Sequence, residues 1–345
     1  MRGRQGSEGF KVRTDLALES REAAQRGRRP DDGVAVREWR EPGGCAMTEV
    51  RVKSERGARI MGKPVGTYLT MDLGRERGGD EGELLRAAEQ LGQQIAGLAA
   101  RVLGREESGF DGVHVLAVGL GNLYVTPDSL GPKVLGSLQI SRNVADGEGG
   151  PIVSGIVPGV MAQTGMETAE ILRGIIRETK PDLVVAVDAL AARSVRRLGT
   201  TIQLTDTGIH PGSGVGNHRH GLTKKSLGIP VIALGVPTVV GGAGPAPPNH
   251  GGGGPPPGRG GGGAPPPPGG GGGGGPPALE RGRKTRGVGA WLEQMGEEEQ
   301  YQLIREVLEP ELGQLYVTPP DIDETVKRLS FIISEGIHRA FYGIG

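Results

Sequence analysis

Two aspartates, Asp128 in VTPD and Asp206 in LTDTG, each follow a short apolar run that reads as a buried strand. If the fold brings them together, like-charge repulsion raises one pKa and the two share a proton. One carboxylate then deprotonates a water while the other protonates a leaving amine, which is amide hydrolysis. Asp206 heads TDTGIHPGSGVGN (205–217), whose glycines would let a substrate backbone approach closely and would offer N–H donors to an oxyanion. Asp188, at the end of LVVAVD, either orients such a pair or caps a following segment. Asp128 and Ser129 equally fit the cap of a helix carrying Val134, Leu135 and Leu138.

Other chemistries compete for the same loop. The spacing Gly212, Gly214, Gly216 departs from G-x-G-x-x-G, and NHRHGLTKKS has no helical apolar face, so the context of a nucleotide loop is missing. Ser213 sits in P-G-S-G-V and not in a G-x-S-x-G elbow. His210, His218 and His220 cluster, and H-x-H is a chelating spacing, although no HExxH occurs. A metal-dependent hydrolase with Asp128, Asp206 and His210 as ligands therefore stands as an alternative, beside the expectation of no metal and no cofactor.

The elements that must position these residues alternate. Apolar residues at 84, 88, 91, 95, 98 and 102 form a helical stripe. VHVLAVGL (113–120) reads as a buried strand, ETAEILRGIIRETK (167–180) as a helix and LVVAVDAL (183–190) as a second buried strand. TTIQLTD (200–206) and PVIALGV (230–236) add short β-rich runs. YQLIREVL (301–308) and IDETVKRLSFIISEGI (322–337) read as helices. Such alternation predicts an α/β sheet covered on both faces, with functional loops at the carboxyl ends of its strands. That rule selects the loops after Leu120, from Asp188 and from Asp206.

Composition narrows the classes. The chain has 345 residues, 40 basic and 40 acidic, which argues against a strong grip on nucleic acid or an anionic membrane. The single cysteine, Cys45, excludes an internal disulfide and any multi-cysteine metal site and fits a reducing, cytoplasmic setting. No apolar run reaches membrane-spanning length, and MRGRQGSEGFKVRTDLALES lacks a signal-peptide core. From 241 to 277 the sequence is almost only glycine and proline, and RGRKTR (281–286) follows; the tract reads as disordered.

Long strings carry a resemblance: MGKPVGTYLTMDL (61–73), VGLGNLYVTPDSLGP (118–132), VPGVMAQTGMETAEILRGIIRETKPD (157–182), the segment 187–240, and REVLEPELGQLYVTPPDIDETVKRLSFIISEGI (305–337). Over roughly four fifths of the chain these resemble the germination proteases of spore-forming Gram-positive bacteria. The resemblance implies an atypical aspartic-type endopeptidase that degrades small acid-soluble spore proteins at germination. Its catalytic aspartates would be Asp128 and Asp206; the residues themselves add Asp188 and His210 as auxiliaries. It further implies a three-layer α/β/α sandwich similar to hydrogenase-maturation proteases, a homotetramer, and the cytoplasm of the developing forespore and spore core as location. No direct nucleic-acid or membrane partner is implied. A self-processing zymogen is also implied, with VRTDLALES placing the scissile bond between Asp15 and Leu16; from residues alone this stretch reads as a flexible terminus, open to cleavage.

The expected organisation is a propeptide (1–15), the first part of the catalytic domain (16–240), the Gly/Pro insertion (241–286) and a helical return to the same domain (287–345). The sequence departs from the family pattern at Gly27–Cys45 and from Gly241 onward. An inactive binding protein that retains the fold is therefore a further alternative.

Overall fold

Apolar runs bounded by glycine and proline become the strands of one mixed sheet, seen in a computed structural model that describes residues 14–25, 33–40, 44–74, 80–106, 109–143, 149–211, 220–241 and 316–343. The strands are β1 (Val34–Arg40), β2 (Ala46–Val52), β3 (Gly66–Asp72), β4 (His114–Gly119), β5 (Ile152–Ile156), β6 (Leu183–Ala192), β7 (Thr201–Thr205), β8 (Val231–Gly241) and β9 (Tyr316–Val317). Their order is β1-β2-β3-β7-β8-β6-β4-β5, with β9 paired to β8. The β8, β6, β4 and β5 strands are mutually parallel, whereas β1, β2, β3 and β7 join by antiparallel pairings.

The helices are α1 (Ala17–Gln25), α2 (Glu55–Met61), α3 (Glu81–Leu103), α4 (Leu130–Gly136), α5 (Met161–Thr164), α6 (Thr168–Thr179), α7 (Lys224–Leu227) and α8 (Ile322–Tyr342). On one face α3, α4 and α8 bury Val115, Ala117, Val185, Val187, Ile232 and Leu234. On the other, α6 and α7 bury Leu116, Val118, Val184, Ala186 and Val231. Neighbouring residues of each central strand thus serve opposite faces, which is why these runs are apolar throughout. The expected stripe from 84 to 102 is the buried side of α3, which starts on an Asp80 cap and ends at left-handed Gly104.

Residues 316–343 join the compact unit that holds 14–241. The Gly/Pro tract beyond Gly241, the expected helix at 301–308 and His218 lie outside the described residues. Among the described residues no helix is long and apolar enough to cross a membrane. Two features escaped the sequence reading: β1 and β2 extend the sheet across a region without a clear pattern, and α1 follows a terminus that reads as flexible.

The loop rule needs a correction. Because β7 runs antiparallel to β8, with Thr205 beside Ala233, its carboxyl end leaves the sheet on the side where β4, β6 and β8 begin. The loop after Leu120 and the loop opening at Asp206 therefore emerge at opposite ends.

One glycine fixes how α4 sits on the sheet. A Cβ on Gly131 would lie 2.4 Å from the Leu120 carbonyl oxygen, 2.5 Å from its nitrogen and 2.5 Å from the Val187 carbonyl oxygen. These are backbone atoms that cannot rotate away, so Gly131→Ala should destabilise the fold by about 3 kcal/mol, at the upper end for overpacking. Urea unfolding would check it, and a loss below about 1 kcal/mol, within the range of neutral surface changes, would mean that α4 is not seated this tightly.

Candidate active site

The segment expected to be cut, Thr14–Ser20, is an irregular stretch docked against β6 that leads into the start of α1. Asp15 donates its N–H to the Ala191 carbonyl (3.0 Å) and accepts the Ala191 N–H on Oδ2 (3.0 Å). Its own carbonyl oxygen accepts from Lys63 Nζ (2.8 Å) and Gln203 Nε2 (3.2 Å). Leu16 is 0% exposed and packs among Leu190, Ala192, Leu198 and Val240. Ala17 donates its N–H to Gln203 Oε1 at 2.6 Å.

Glu19 completes the anchorage. Its carboxylate, 3% exposed, accepts the N–H groups of Arg193 (2.8 Å) and Ser194 (3.0 Å), pairs with Arg197 and takes a hydrogen bond from the Thr14 hydroxyl. The flexible terminus expected from the residues alone is thus corrected. A buried leucine, a buried carboxylate and backbone pairing to β6 hold it in place.

Beside this segment lies a cleft of about 70 Å³, lined by Asp15, Lys63, Tyr68, Gln203, Thr207 and His210 among others, with room for several waters. Asp206 sits at its margin, between two threonines that line it. Its Oδ1 accepts the Thr67 N–H at 2.8 Å, and only a glycine at 66 permits that approach, since a Cβ there would lie 2.6 Å from the same oxygen. The charge of Asp206 reaches into the cleft. Burial pushes the Tyr68 phenol up to about 12, the Thr207 hydrogen bond opposes this, and Asp206 adds to the rise.

Burial lowers the Lys63 pKa against the opposing pull of Asp15 and Glu19. It also lowers that of His210, which Lys63 lowers further and Asp15 partly restores. The glycine at 208 serves the backbone: it is left-handed (φ 80°) and closes the turn that pairs Ile209 with Leu222.

Asp128 is elsewhere. It ends a 3₁₀ turn (Thr126–Asp128) after β4, and its Oδ2 and carbonyl oxygen both accept the Asn122 N–H, at 2.8 and 3.0 Å. It braces that turn and does not cap α4, whose N-cap is Ser129. Leu120 is level with Asp188 and Gly235, whereas Asp206 lies one residue beyond the Thr205–Ala233 pair. The two loops leave the sheet in opposite directions, one from the end of β4 and the other from the end of β7. Within one chain Asp128 and Asp206 are not brought into contact.

Asp188 lies inside β6 and not at its end, 6% exposed, on the face that carries the cleft and in register with Gly235. Its Oδ1 accepts the N–H of Ala189, the next residue along the same strand, so it caps no helix. The structure thus gathers Asp206, His210, Asp15 and Leu16 around the cleft, and sets Asp128 in the turn beyond β4 and Asp188 within the neighbouring β6. Among the described residues no three His, Cys, Asp or Glu side chains converge on a metal-sized site. Asp128, Asp206 and His210 do not form the ligand set of the metal alternative.

The sequence profile of the germination protease family matches residues 12–244. A germination protease of Caldanaerobacter subterraneus subsp. tengcongensis is 40% identical over 335 residues, covering 95% of this chain and 94% of its own. Those of Clostridium perfringens (strain ATCC 13124) and Bacillus velezensis are 36% and 38% identical, each covering 96% of this chain and 95% and 94% of their own. This chain belongs to the germination protease family.

As a member of the germination protease family it is a peptidase, and its cleft holds residues that sequence reading missed. Lys63 sits in MGKPVG, which has no periodic pattern to flag it. Gln203 had a faint signal, an amide inside the otherwise apolar and threonine-rich TTIQLT. Tyr68 and Gly66 were hidden in a strand read only as part of the resemblance.

The histidines of this germination protease family member give a pH dependence. His210 and His114 both have pKa values held below 6.5, chiefly by burial. The unfolded chain therefore binds more protons below the ordinary value, and stability should fall as pH drops through 6.5 towards the folded values. The urea midpoint should be lower at about pH 5.5 than at about pH 7.5, an interval bracketing the unperturbed histidine, and His114→Gln with His210→Gln should flatten the difference. An unchanged slope in that double variant would assign the dependence to other groups.

Proposed function

We propose that this chain is an endopeptidase made as a zymogen, which cuts its own Asp15–Leu16 bond and then initiates degradation of small acid-soluble spore proteins during germination. One observation carries the reading: the bond to be cut lies docked beside a water-sized cleft, with its carbonyl held by side chains and its flanking residues buried. A segment that merely trailed from the domain would not be over-anchored by Ala191, Gln203, Arg193 and Ser194.

Asp206 is the carboxylate assigned to water activation, because it sits at the margin of the cleft between Thr205 and Thr207, which line it. Asp128 takes the second catalytic role on the strength of the family resemblance. The loops that carry the two aspartates leave the sheet in opposite directions, so the two act from separate positions on the peptide and not as a proton-sharing dyad. His210, whose pKa burial lowers, lies in the cleft as a proton acceptor, and Asp188 supports the same face. The water adds to the carbonyl carbon of residue 15, one proton passes to the protein, the C–N bond breaks, and the Leu16 nitrogen leaves with a proton. Neither metal nor cofactor enters this scheme.

The wider reading follows the resemblance: a three-layer α/β/α sandwich of the hydrogenase-maturation protease kind, a homotetramer, and action in the cytoplasm of the forespore and spore core. In it residues 1–15 are the propeptide, and the catalytic domain is interrupted by the Gly/Pro insertion. The test is to incubate the protein with a purified small acid-soluble spore protein and map fragments by mass spectrometry. Discrete cuts that disappear in Asp206→Asn support the reading; binding without cuts, by a chain that also leaves its own terminus intact, would leave the inactive binding protein.

A further inference from the structure

Lys63 and Gln203 converge on one carbonyl oxygen. Lys63 Nζ approaches the Asp15 oxygen at 2.8 Å and the Thr14 oxygen at 3.2 Å, and Gln203 Nε2 approaches the Asp15 oxygen at 3.2 Å. The orientation of Gln203 is fixed from its other end, because Oε1 accepts the Ala17 N–H at 2.6 Å and so turns the NH₂ group towards Asp15. Gln203 in turn is held on β7, 6% exposed, between β3 and β8.

Such an arrangement exceeds what docking needs. A part-buried peptide carbonyl is satisfied by one ordinary partner, and a half-buried ammonium turned onto it beside a second, neutral donor goes beyond simple anchorage. The two donors instead meet at the atom that becomes negative when water adds to the carbonyl carbon. Donors fixed at that atom stabilise a developing oxyanion more than a neutral carbonyl, since the interaction strengthens with charge and requires no reorganisation.

We propose that Lys63 and Gln203 are the oxyanion donors of this peptidase, catalytic for the Asp15–Leu16 bond and for the carbonyl of any later substrate that takes its place. In the step they serve, the water oxygen bonds to the Asp15 carbon while the carbonyl π electrons move onto its oxygen, between Lys63 Nζ and Gln203 Nε2. A proton of that water passes to the general base. Collapse returns the electrons, breaks the bond to the Leu16 nitrogen and delivers a proton to that nitrogen. Departure of residues 1–15 then vacates both donors for the next substrate.

This inference rests on the proposed cleavage after Asp15, so the experiment separates the two. The rate of self-cleavage of the full-length chain is followed by intact mass for wild type, Lys63→Met, Lys63→Arg and Gln203→Glu, with amide hydrogen exchange of residues 14–20 measured in parallel. Lys63→Met and Gln203→Glu should slow cleavage by about 10²–10³-fold, the effect of losing one oxyanion donor, while residues 14–20 stay protected. Lys63→Arg, which keeps N–H donors but cannot act as a base, should recover part of the rate. Wild-type cleavage rates in Lys63→Met would overturn the proposal, as would a slow rate accompanied by lost protection, since the role would then be docking. Failure of the wild-type chain to cut after Asp15 would instead remove the underlying reading, and this inference with it.

Discussion

Asp206→Asn should slow self-cleavage by about 10³-fold, within the range for removing a general acid or base, and leave the fold intact. The substitution is nearly isosteric and keeps an oxygen that can accept the Thr67 N–H, so the contact between β3 and the end of β7 survives. What disappears is the charge beside the cleft. Cleavage followed by intact mass, alongside a urea unfolding curve, separates the two effects. A variant that unfolds as wild type and no longer trims itself supports the assignment; one that trims at the wild-type rate removes Asp206 from the chemistry.

Asp128→Asn makes a useful companion, because it too keeps an acceptor for the Asn122 N–H. With the two loops at opposite ends of the sheet, its effect on cleavage should have its own pH dependence. A proton-sharing dyad would give both variants the same altered profile.

The second large effect is expected at Leu16. Its side chain is 0% exposed and fills a pocket formed by Leu190, Ala192, Leu198 and Val240. Truncating a buried leucine costs about 2–5 kcal/mol, and here the cost falls first on docking of the segment and not on the sheet. That corresponds to roughly 30-fold to more than 10³-fold in the docking equilibrium, at about 1.4 kcal/mol per tenfold. Leu16→Ala should therefore speed exchange at the Asp15 and Ala17 amides and slow self-cleavage, with little change in protection of β6 and β8. Unchanged protection at Asp15 and Ala17 would mean that Glu19 and the backbone pairing carry the docking without Leu16.

How far the sequence disclosed this site follows from the range of the interactions involved. The central strands and α3, α6 and α8 were readable because burial on one or two faces leaves a periodic imprint, as in VHVLAVGL and in the stripe from Leu84 to Val102. Asp206 stood out as a candidate because its neighbours are glycine and threonine in a loop that has to turn. The direction of β7 was not readable. Five residues of TIQLT look alike in either sense, and only the antiparallel pairing to β3 and β8 sends Asp206 away from Asp128.

The clamp on Asp15 was invisible for the same reason. Lys63, Gln203 and Ala191 are 48, 188 and 176 residues away along the chain. Each contact is satisfied only in the folded state, and no local propensity encodes it. Leu16 looked like one apolar residue in a charged terminus, since the pocket that receives it is assembled from β6, β8 and the turn before β7.

The central claim is that the docked Asp15–Leu16 bond is the one this chain cuts in itself. It is tested most directly by following the purified full-length protein over time by intact mass and by sequencing the new terminus. The account predicts one product that begins at Leu16 and one released fragment that ends at Asp15, both absent in Asp206→Asn. A stable product beginning elsewhere, or an intact terminus in a chain that nonetheless degrades a small acid-soluble spore protein, would contradict it.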